Sequence, residues 1–575
     1  MGINQLDKIR HSLAHLLAAA ILEMYPGAKL AIGPPVNDGF YYDFELPAQI
    51  SDSDLKRIEN RMRKILKTWD KFSRIEVESS WAKELFAENS YKLEIINELN
   101  KSGEIISLYS AGKFLDLCRG GHVSSAKNID PDCFSLDRIA GAYWRGDEKN
   151  AMLTRIYGLA FNSKEELEEY VERREAAKQR DHKKLGRQLE LFDFHETAPG
   201  MPYWLPNGLI VYNELVDFWR KNHAAHGYQE IATPLINKKE LWETSGHWDH
   251  YREDMFVVSA EEETYGLKPM NCPNAMIVFN MKKRSYKDLP LRFSDSDTLH
   301  RYERSGVLNG LLRARSFRQD DAHNFITQDQ IESEYAQIFQ IVKDFYGIFN
   351  LKFRYRLGTR PKKFIGQARL WDIAESALKK ILDQTCGAGN YEVAKGDGAF
   401  YGPKVDIIMQ DALGRDWQMG TVQLDFQLPQ RFNLIYTAKD GSAKTPVVIH
   451  RVVYGSLERF IGILIEHTAG KLPVWLSPIQ VMIVTIGKQH DNFSEKVADQ
   501  LKAAGVRIML NKNNETLSKK ILKGKNLKIP YIVIIGDKEV KTNSVTVERY
   551  NGSSNKQMDL SVLVNELENK IVAKS

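Results

Sequence analysis

The sequence has little cysteine: Cys118, Cys133, Cys272 and Cys386 are the only four in 575 residues. They are too scattered for a disulfide framework, and no CxxC pair exists, so any metal site must lean on histidine. Long apolar runs are missing as well. The longest, around LAHLLAAAIL, falls short of the ~20 residues that a bilayer-spanning helix needs. The opening MGINQLDKIRHS carries no apolar signal core. These absences predict a soluble, cytoplasmic protein without a membrane partner. No internal repeat or low-complexity tract is present, which excludes a solenoid. Neither a Walker-type nor a dinucleotide-type glycine pattern occurs, so any ATP site must be built from arginines on a sheet and not from a phosphate-cradling loop.

What is present is ordinary in bulk and uneven in detail. Hydrophobic residues at 43% and charged residues at 27% are globular values, and the length predicts three or four domains. The formal charge is +5, yet from Ile479 onward there are 16 Lys and Arg against 10 Asp and Glu. The C-terminal end thus holds all the excess, as a polyanion-binding surface or a solvated basic face would.

Residues 1–160 mix helical patterns (9–24 and 52–67) with strand-like runs such as GFYYDF and RIYGLAF. SKEELEEYVERREAAKQRDHKKLGRQLELF follows, with Ser163 and Glu166 in capping-box spacing and a thin stripe of Leu167, Tyr170 and Val171. So polar a helix marks a linker over 161–194. Residues 195–475 open with an amphipathic helix (207–223), Gly227 and the strand candidate YQEIATPLI. Later strand candidates VDIIM and VVIH are separated by turns such as GDGAFYGPK. Helices and strands do not alternate, so this block reads as α+β with a largely antiparallel sheet. Over 476–575, VMIVTI, a helix (491–504), VRIML, a helix (514–527) and YIVIIGD give β-α-β-α-β with buried parallel strands, a compact α/β domain.

Three groups could carry chemistry. His11 and His15, and Cys118 and His122, each stand four apart; such a set could bind zinc or activate a water without metal, and Asp116 lies close by. Cys272, His323 and His450 are joined by no spacing rule, and composition alone assigns each to structure. Arg301, Arg313, Arg315 and Arg459 form the third group. Arg459 is the only basic residue in the apolar run 452–464, where an arginine normally pairs with a carboxylate or a phosphate. The stretch LLRARSFRQDDAHNF concentrates three arginines, two aspartates and a histidine where a core would be expected.

These stretches, taken in order, resemble the class II aminoacyl-tRNA synthetases, and in detail the threonyl-tRNA synthetase family. GYQEIATPLI is similar to motif 1, with Pro234 on the dimer-forming strand. LHRYERSGVLNGLLRARSFRQDDAHNF is similar to motif 2 and GSLERFIGIL to motif 3. LKPMNCP, GAFYGPKVD, GTVQLDF and VVIHR match further family stretches, and RHSLAHLL, DLCRGGH and AYWRGD resemble its editing domain. The resemblance covers nearly the whole chain.

It implies a seven-stranded antiparallel catalytic domain (195–475), an N-terminal α+β editing domain (1–160), an α/β anticodon-binding domain (476–575) and a homodimer. The implied activity is ATP-dependent joining of L-threonine to tRNA(Thr), with hydrolysis of seryl-tRNA. The alternative is a synthetase-like tRNA-binding or regulatory protein that has lost catalysis. Cys272, His323 and His450 fall on the family's zinc positions, where one Zn²⁺ keeps a site open for the threonine amine and hydroxyl, with Asp321 receiving the hydroxyl proton. Arg301 is implied to clamp the carboxylate and α-phosphate. Arg459 would reach the γ-phosphate and cover adenine, with Phe317 on its other face. Glu303 would read the adenine edge, and Arg313 would hold the triphosphate with Mg²⁺. Gln319, Tyr401, Lys404 and Gln423 are carried over at the amino acid end. His11, His15, Tyr42, Asp116, Cys118 and His122 are carried over for editing, and Asn514 and Glu539 for the anticodon.

Four departures stand out. The family usually opens with a ubiquitin-like domain, whereas residue 1 here falls at the editing segment. Asn274-Ala275 replaces Gly-His beside a zinc position, and Gly121 replaces a proline in the editing motif. Glu548 stands where a basic residue is usual, with Arg549 as the neighbour able to serve instead.

Overall fold

The computed structural model describes residues 4–550 and 556–574. The chain divides into two compact units, Met1–Glu175 and Ala176–Ser575, and the division falls inside the helix Lys164–Arg180. That helix is as wet as its sequence predicts, with Leu167 its one buried residue. Its cap is shifted by one residue from the expected box. Ser163 Oγ accepts the Glu166 amide at 3.2 Å, but the Glu166 carboxylate accepts from the amide of Asn162 at 3.0 Å.

In the first unit, the strands Lys29–Leu30, Gly39–Glu45, Met152–Ala160 and Phe134–Tyr143 form an antiparallel sheet in that order. The helix Gln5–Met24 lies on it, starting four residues before the periodicity becomes visible because Asn4 caps it. Ala14, Ala18 and Ala20 are fully buried; small side chains let a helix approach a sheet closely. A second antiparallel sheet, Ser73–Glu76, Ser107–Ala111 and Phe114–Leu117, brings the DLCRGGH segment toward the same helix.

The second unit is built on eight strands in one sheet, one more than the resemblance implies. Six inner strands are antiparallel, running Leu291–Asp295, Asp321–Ile326, Val447–Val452, Asp416–Asp425, Lys404–Gln410 and Lys352–Gly358. Short edge strands Gln229–Glu230 and Glu392–Ala394 add parallel pairings at the two rims. YQEIATPLI is therefore not one strand. It breaks before Ile236–Lys238, which pairs in a separate small sheet. Proline cannot donate to a ladder, and Thr233, just before Pro234, instead gives its amide to Asp297 at 2.6 Å. Helices Pro206–Ala225, Ile331–Ile348 and Leu457–Thr468 share one hydrophobic core against the sheet.

The C-terminal part follows the β-α-β-α-β reading. Val481–Thr485 pairs in parallel with Ile508–Asn511 and Tyr531–Ile535. Two strands that the apolar pattern did not announce, Val545–Arg549 and Lys556–Met558, extend the sheet antiparallel. Both are half-polar, with Lys556–Met558 at the edge, and such strands hide from a search for continuous apolar runs. Among the described residues, no helix is long and apolar enough to cross a membrane.

Candidate functional site

Strand register explains the charged stretch that sequence spacing could not. Asp321–Ile326 is buried on both faces and pairs with Leu291–Asp295 and Val447–Val452, setting His323 opposite Phe293 on one side and His450 on the other. Gln423 stands opposite His450. Directly paired residues share a face, and residues two apart along a strand do too. Asp321 therefore sits on the face of His323, and Asp320 on the opposite one. Asp320 accepts the amides of Val453 (2.9 Å) and Gly455 (3.0 Å), pinning the turn that leads into the helix Leu457–Thr468. Asp321 lines a cavity of about 460 Å³ instead.

Cys272 starts the helix Cys272–Asn280 and joins His323 and His450; their ligand atoms lie within 4.8 Å of one another. All three are buried. His450 Nε2 lies 2.9 Å from Asp425 Oδ2, so its proton goes to that carboxylate and Nδ1 is left bare. Both ring nitrogens of His323 and Nδ1 of His450 have no hydrogen-bond partner. Burial and the neighbouring Asp321 and Asp425 hold the Cys272 thiol well above its ordinary range. Unpartnered buried imidazole nitrogens are costly, and a thiol beside carboxylates is a place where a cation is favourable. The donor set fits one divalent metal of the zinc type, with Asp425 fixing the tautomer of His450. Asp425 was not singled out from sequence, although GTVQLDF contains it. Asn274 and Ala275 are buried in the first turn of the Cys272 helix, and the thiol still faces the histidines. Burial and repulsion from Asp295 push the Asp321 carboxyl up to about 8, and Asn271 Nδ2 donates to it at 3.3 Å.

The arginines occupy the same cavity. Arg301, Arg313 and Arg459 line it with Glu303, Phe317 and Gln319. The Arg301 guanidinium lies 5.0 Å from the centre of the Phe317 ring. Arg313 donates to Glu303 at 2.8 Å. Arg459 donates Nε–H to the Leu312 carbonyl at 2.8 Å. Burial, then Arg301 and Arg313, make the Arg459 cation harder to hold, and Glu303 alone offsets them. Three guanidiniums around one carboxylate form a site for a polyanion. Arg315 is structural, donating to the carbonyls of Glu303 (2.9 Å) and Pro199 (3.3 Å). Tyr401 and Gln423 line the cavity and hydrogen-bond each other. Lys404 does not line it; its ammonium is held by Asp406 (3.0 Å) and Asp397 (3.3 Å).

A second cavity, of about 370 Å³, opens in the first unit and is lined by His11, His15, Tyr42, Lys92, Asp116 and Cys118. His122 lies behind Cys118, with Nε2 3.3 Å from Sγ and Nδ1 3.2 Å from Ser12 Oγ; His11 Nε2 is 3.5 Å from Sγ. Burial lowers the proton affinity of His11, takes His15 well below its usual range and brings His122 to about 3; it pushes the Cys118 thiol up to about 11. Metal-free, the set is three neutral imidazoles and a neutral thiol. Gly121 has φ +96°, a conformation closed to proline, so the departure changes the backbone here and not only a side chain.

Asp116 accepts from the Tyr42 hydroxyl and pairs with Lys92 at 2.6 Å, with side chains 1% and 3% exposed. Lys92 carries no sequence signal in SYKLEI. Lys92→Met is expected to destabilise the first unit by about 3–5 kcal/mol, because it leaves a buried carboxylate unpaired. The denaturant midpoint of its tryptophan signal measures this.

The histidines also set a pH dependence. Their folded proton affinities lie below the ordinary value near 6.5, so the unfolded chain binds more protons beneath that pH. Stability is full above about 6.5 and falls as pH drops, by roughly 1.4 kcal/mol per pH unit for each imidazole. Hydrogen exchange of the helix Gln5–Met24, corrected for intrinsic rate, should show this loss between pH 7.5 and 5.5.

At the C-terminal end Asn514 is exposed after the strand Ile508–Asn511. The Glu539 carboxylate is engaged internally, accepting from Gly536 N (2.9 Å) and Thr546 Oγ1 (2.7 Å). Glu548 pairs with Lys525 at 2.6 Å, and Arg549 forks to Glu566 at 2.6 Å, so Arg549 is committed within the domain.

Known proteins give this geometry a family. The model of the class II tRNA synthetase core domain (G, H, P, S and T) matches residues 256–468. That of the anticodon binding domain matches 480–570. The threonyl and alanyl tRNA synthetase second additional domain matches 106–157. The threonine–tRNA ligase of Acetivibrio thermocellus is 47% identical over 98% of this chain and 88% of its own, and that of Thermotoga maritima is 46% identical with the same coverage. The crystal structure of the RNA binding domain of threonyl-tRNA synthetase from Cryptosporidium parvum is 41% identical, covers 68% of this chain and 98% of that one, and superposes with a TM-score of 0.66. The chain belongs to the threonine–tRNA ligase family of class II aminoacyl-tRNA synthetases.

Proposed function

We propose that the residues of the large cavity perform the family's reaction, activating L-threonine with ATP and passing it to tRNA(Thr), and that the smaller cavity hydrolyses seryl-tRNA. Residues 1–160 edit, 161–194 link, 195–475 catalyse as one half of a homodimer, and 476–575 bind the anticodon, all in the cytoplasm. The observation that carries this reading is the meeting of three guanidiniums with Cys272 and His450 on one cavity wall, His323 completing the Cys-His-His set behind it.

In the activation step a threonine carboxylate oxygen attacks the α-phosphorus and pyrophosphate leaves. The protein's task is placement and charge neutralisation. Arg301, on the cavity wall beside Phe317, holds the carboxylate against the α-phosphate. Arg313, with Mg²⁺, takes the triphosphate, and Arg459 the γ-phosphate. Phe317 and the Arg459 guanidinium enclose adenine, whose edge meets Glu303. Cys272, His323 and His450 would hold the zinc ion, which when bound supplies a Lewis-acidic position open to an amine and a hydroxyl but not to a methyl. Asp321, made a stronger base by burial and Asp295, takes the hydroxyl hydrogen. Gln319, Tyr401 and Gln423 shape the amino acid end.

Serine retains both groups, and one missing methyl changes binding by only roughly 1–3 kcal/mol, so a second site is required. There His11 and His15 act as neutral bases on a water beside Cys118, His122 orients the thiol from behind, and Tyr42 and Asp116 with Lys92 shape the wall. Asn514 meets the anticodon directly, and the buried Glu539 acts only through the turn that it caps. Loss of catalysis is not supported: the relatives are ligases, and Arg301, Arg313 and Arg459 line one cavity. Threonine-dependent ATP–pyrophosphate exchange tests the reading. Robust exchange with threonine and none with valine is expected; no exchange with threonine overturns it.

A further inference from the structure

His182 opens the short helix His182–Gln188. It is 1% exposed and has no part in the reaction as described. Its Nδ1 lies 2.7 Å from Glu466 Oε1, and its Nε2 lies 3.1 Å from the backbone nitrogen of Leu311. A backbone N–H can only donate, so Nε2 presents its lone pair and the ring proton sits on Nδ1, given to the carboxylate. The other oxygen of Glu466 is held by Arg415 at 2.5 Å.

Leu311 belongs to the 3-10 turn Gly310–Leu312, which immediately precedes Arg313. The Leu312 carbonyl takes Arg459 Nε–H. Arg459 and Glu466 project from one helix, Leu457–Thr468, two turns apart. The contacts thus close a ring: helix to Glu466, to His182, to the turn, to Arg459 and back to the helix. The close approach is built into the backbone. Gly310 has φ +53°, and a Cβ there would lie 2.3 Å from His182 Nε2. A Cβ at Gly462 would meet Leu311 Cβ and Leu312 Cδ2 at 3.2 Å.

We infer that His182 is a positioning residue for adenylate formation: it fixes the turn Gly310–Leu312, and through it the aim of Arg459 and the root of Arg313. It touches no substrate. The inference rests on the assignment of Arg459 and Arg313 to ATP.

The test uses the full chain and threonine-dependent exchange, varying ATP and then threonine, for His182→Leu, His182→Gln and Gly310→Ala. Leucine keeps bulk alone, whereas glutamine keeps an acceptor for the Leu311 amide. His182→Leu should raise KM for ATP by about tenfold or more through misplacement of the clamp. KM for threonine should change by less than about twofold. His182→Gln should return KM for ATP to within about threefold of the parent. Gly310→Ala, which leaves His182 in place but crowds its Nε2, should reproduce the ATP-selective rise and carries the test if His182→Leu does not fold. Equal defects in the leucine and glutamine variants overturn the inference, as do ATP and threonine constants moving together with a lowered melting midpoint. Arg459→Ala separates the two levels. If it keeps the parent KM for ATP, the nucleotide assignment falls and His182 with it. If it loses ATP while His182→Leu does not, only the positioning role falls.

Discussion

Arg459→Ala is expected to lower kcat/KM for threonine-dependent exchange by about 10³-fold or more, the scale of removing a preorganised cation from a transition state. Its Nε–H is used on the Leu312 carbonyl, which leaves the two terminal nitrogens for the cavity. The other basic residue of the helix Leu457–Thr468, His467 in its last turn, accepts the Ala412 amide at 3.0 Å and does not line that space. Arg459→Lys should recover little, because one ammonium cannot both anchor on Leu312 and reach a phosphate. Fold stability should move the other way. Arg459 is buried beside Arg301 and Arg313, which make its charge costly, so its removal relieves repulsion while Phe460, Ile461 and Leu464 keep the helix packed. A melting midpoint equal to or above the parent's, alongside lost exchange, is the combined signature of a group kept for function. A variant that loses both together contradicts the assignment.

His323→Ala should have an effect as large, and of a different kind. His323 is fully buried and neither ring nitrogen has a partner, so the alanine variant breaks no hydrogen bond of the fold. Exchange with threonine should fall to near background, and the preference for threonine over valine should collapse. A site built to bind a hydroxyl rejects an analogue lacking it by about 10⁴ or more, whereas shape alone separates such isosteres by about 10². Asp425→Asn should weaken metal retention about 10–100-fold, the range for an outer carboxylate that orients a ligating histidine. Metal content after dialysis measures it.

How much of this was legible in the sequence depended on whether the signal was local. Buried strands such as VDIIM, VVIH and YIVIIGD announce themselves as apolar runs, and the helix Leu457–Thr468 announces itself by one arginine among aliphatics. The half-polar strand Val545–Arg549 does not, nor does the break that Pro234 and the Thr233–Asp297 contact impose on YQEIATPLI. The Cys-His-His set was invisible as spacing, because it is a product of cross-strand register: His323 meets His450 only once two strands far apart in the chain pair. The resemblance supplied those positions where periodicity could not. Lys92, Asp425 and His182 escaped both routes. Each acts by neutralising or aiming a neighbour, and such a residue is marked by its contacts and not by its sequence surroundings.

In the proposed reaction, one metal ion on Cys272, His323 and His450 distinguishes a hydroxyl from a methyl. The direct measurement is metal content of the purified protein together with the ratio of threonine- to valine-dependent exchange, before and after chelation. One zinc per chain is expected, with a ratio of about 10⁴ or more and loss of threonine activity in step with the metal. Protein without metal that still activates threonine and refuses valine would contradict it.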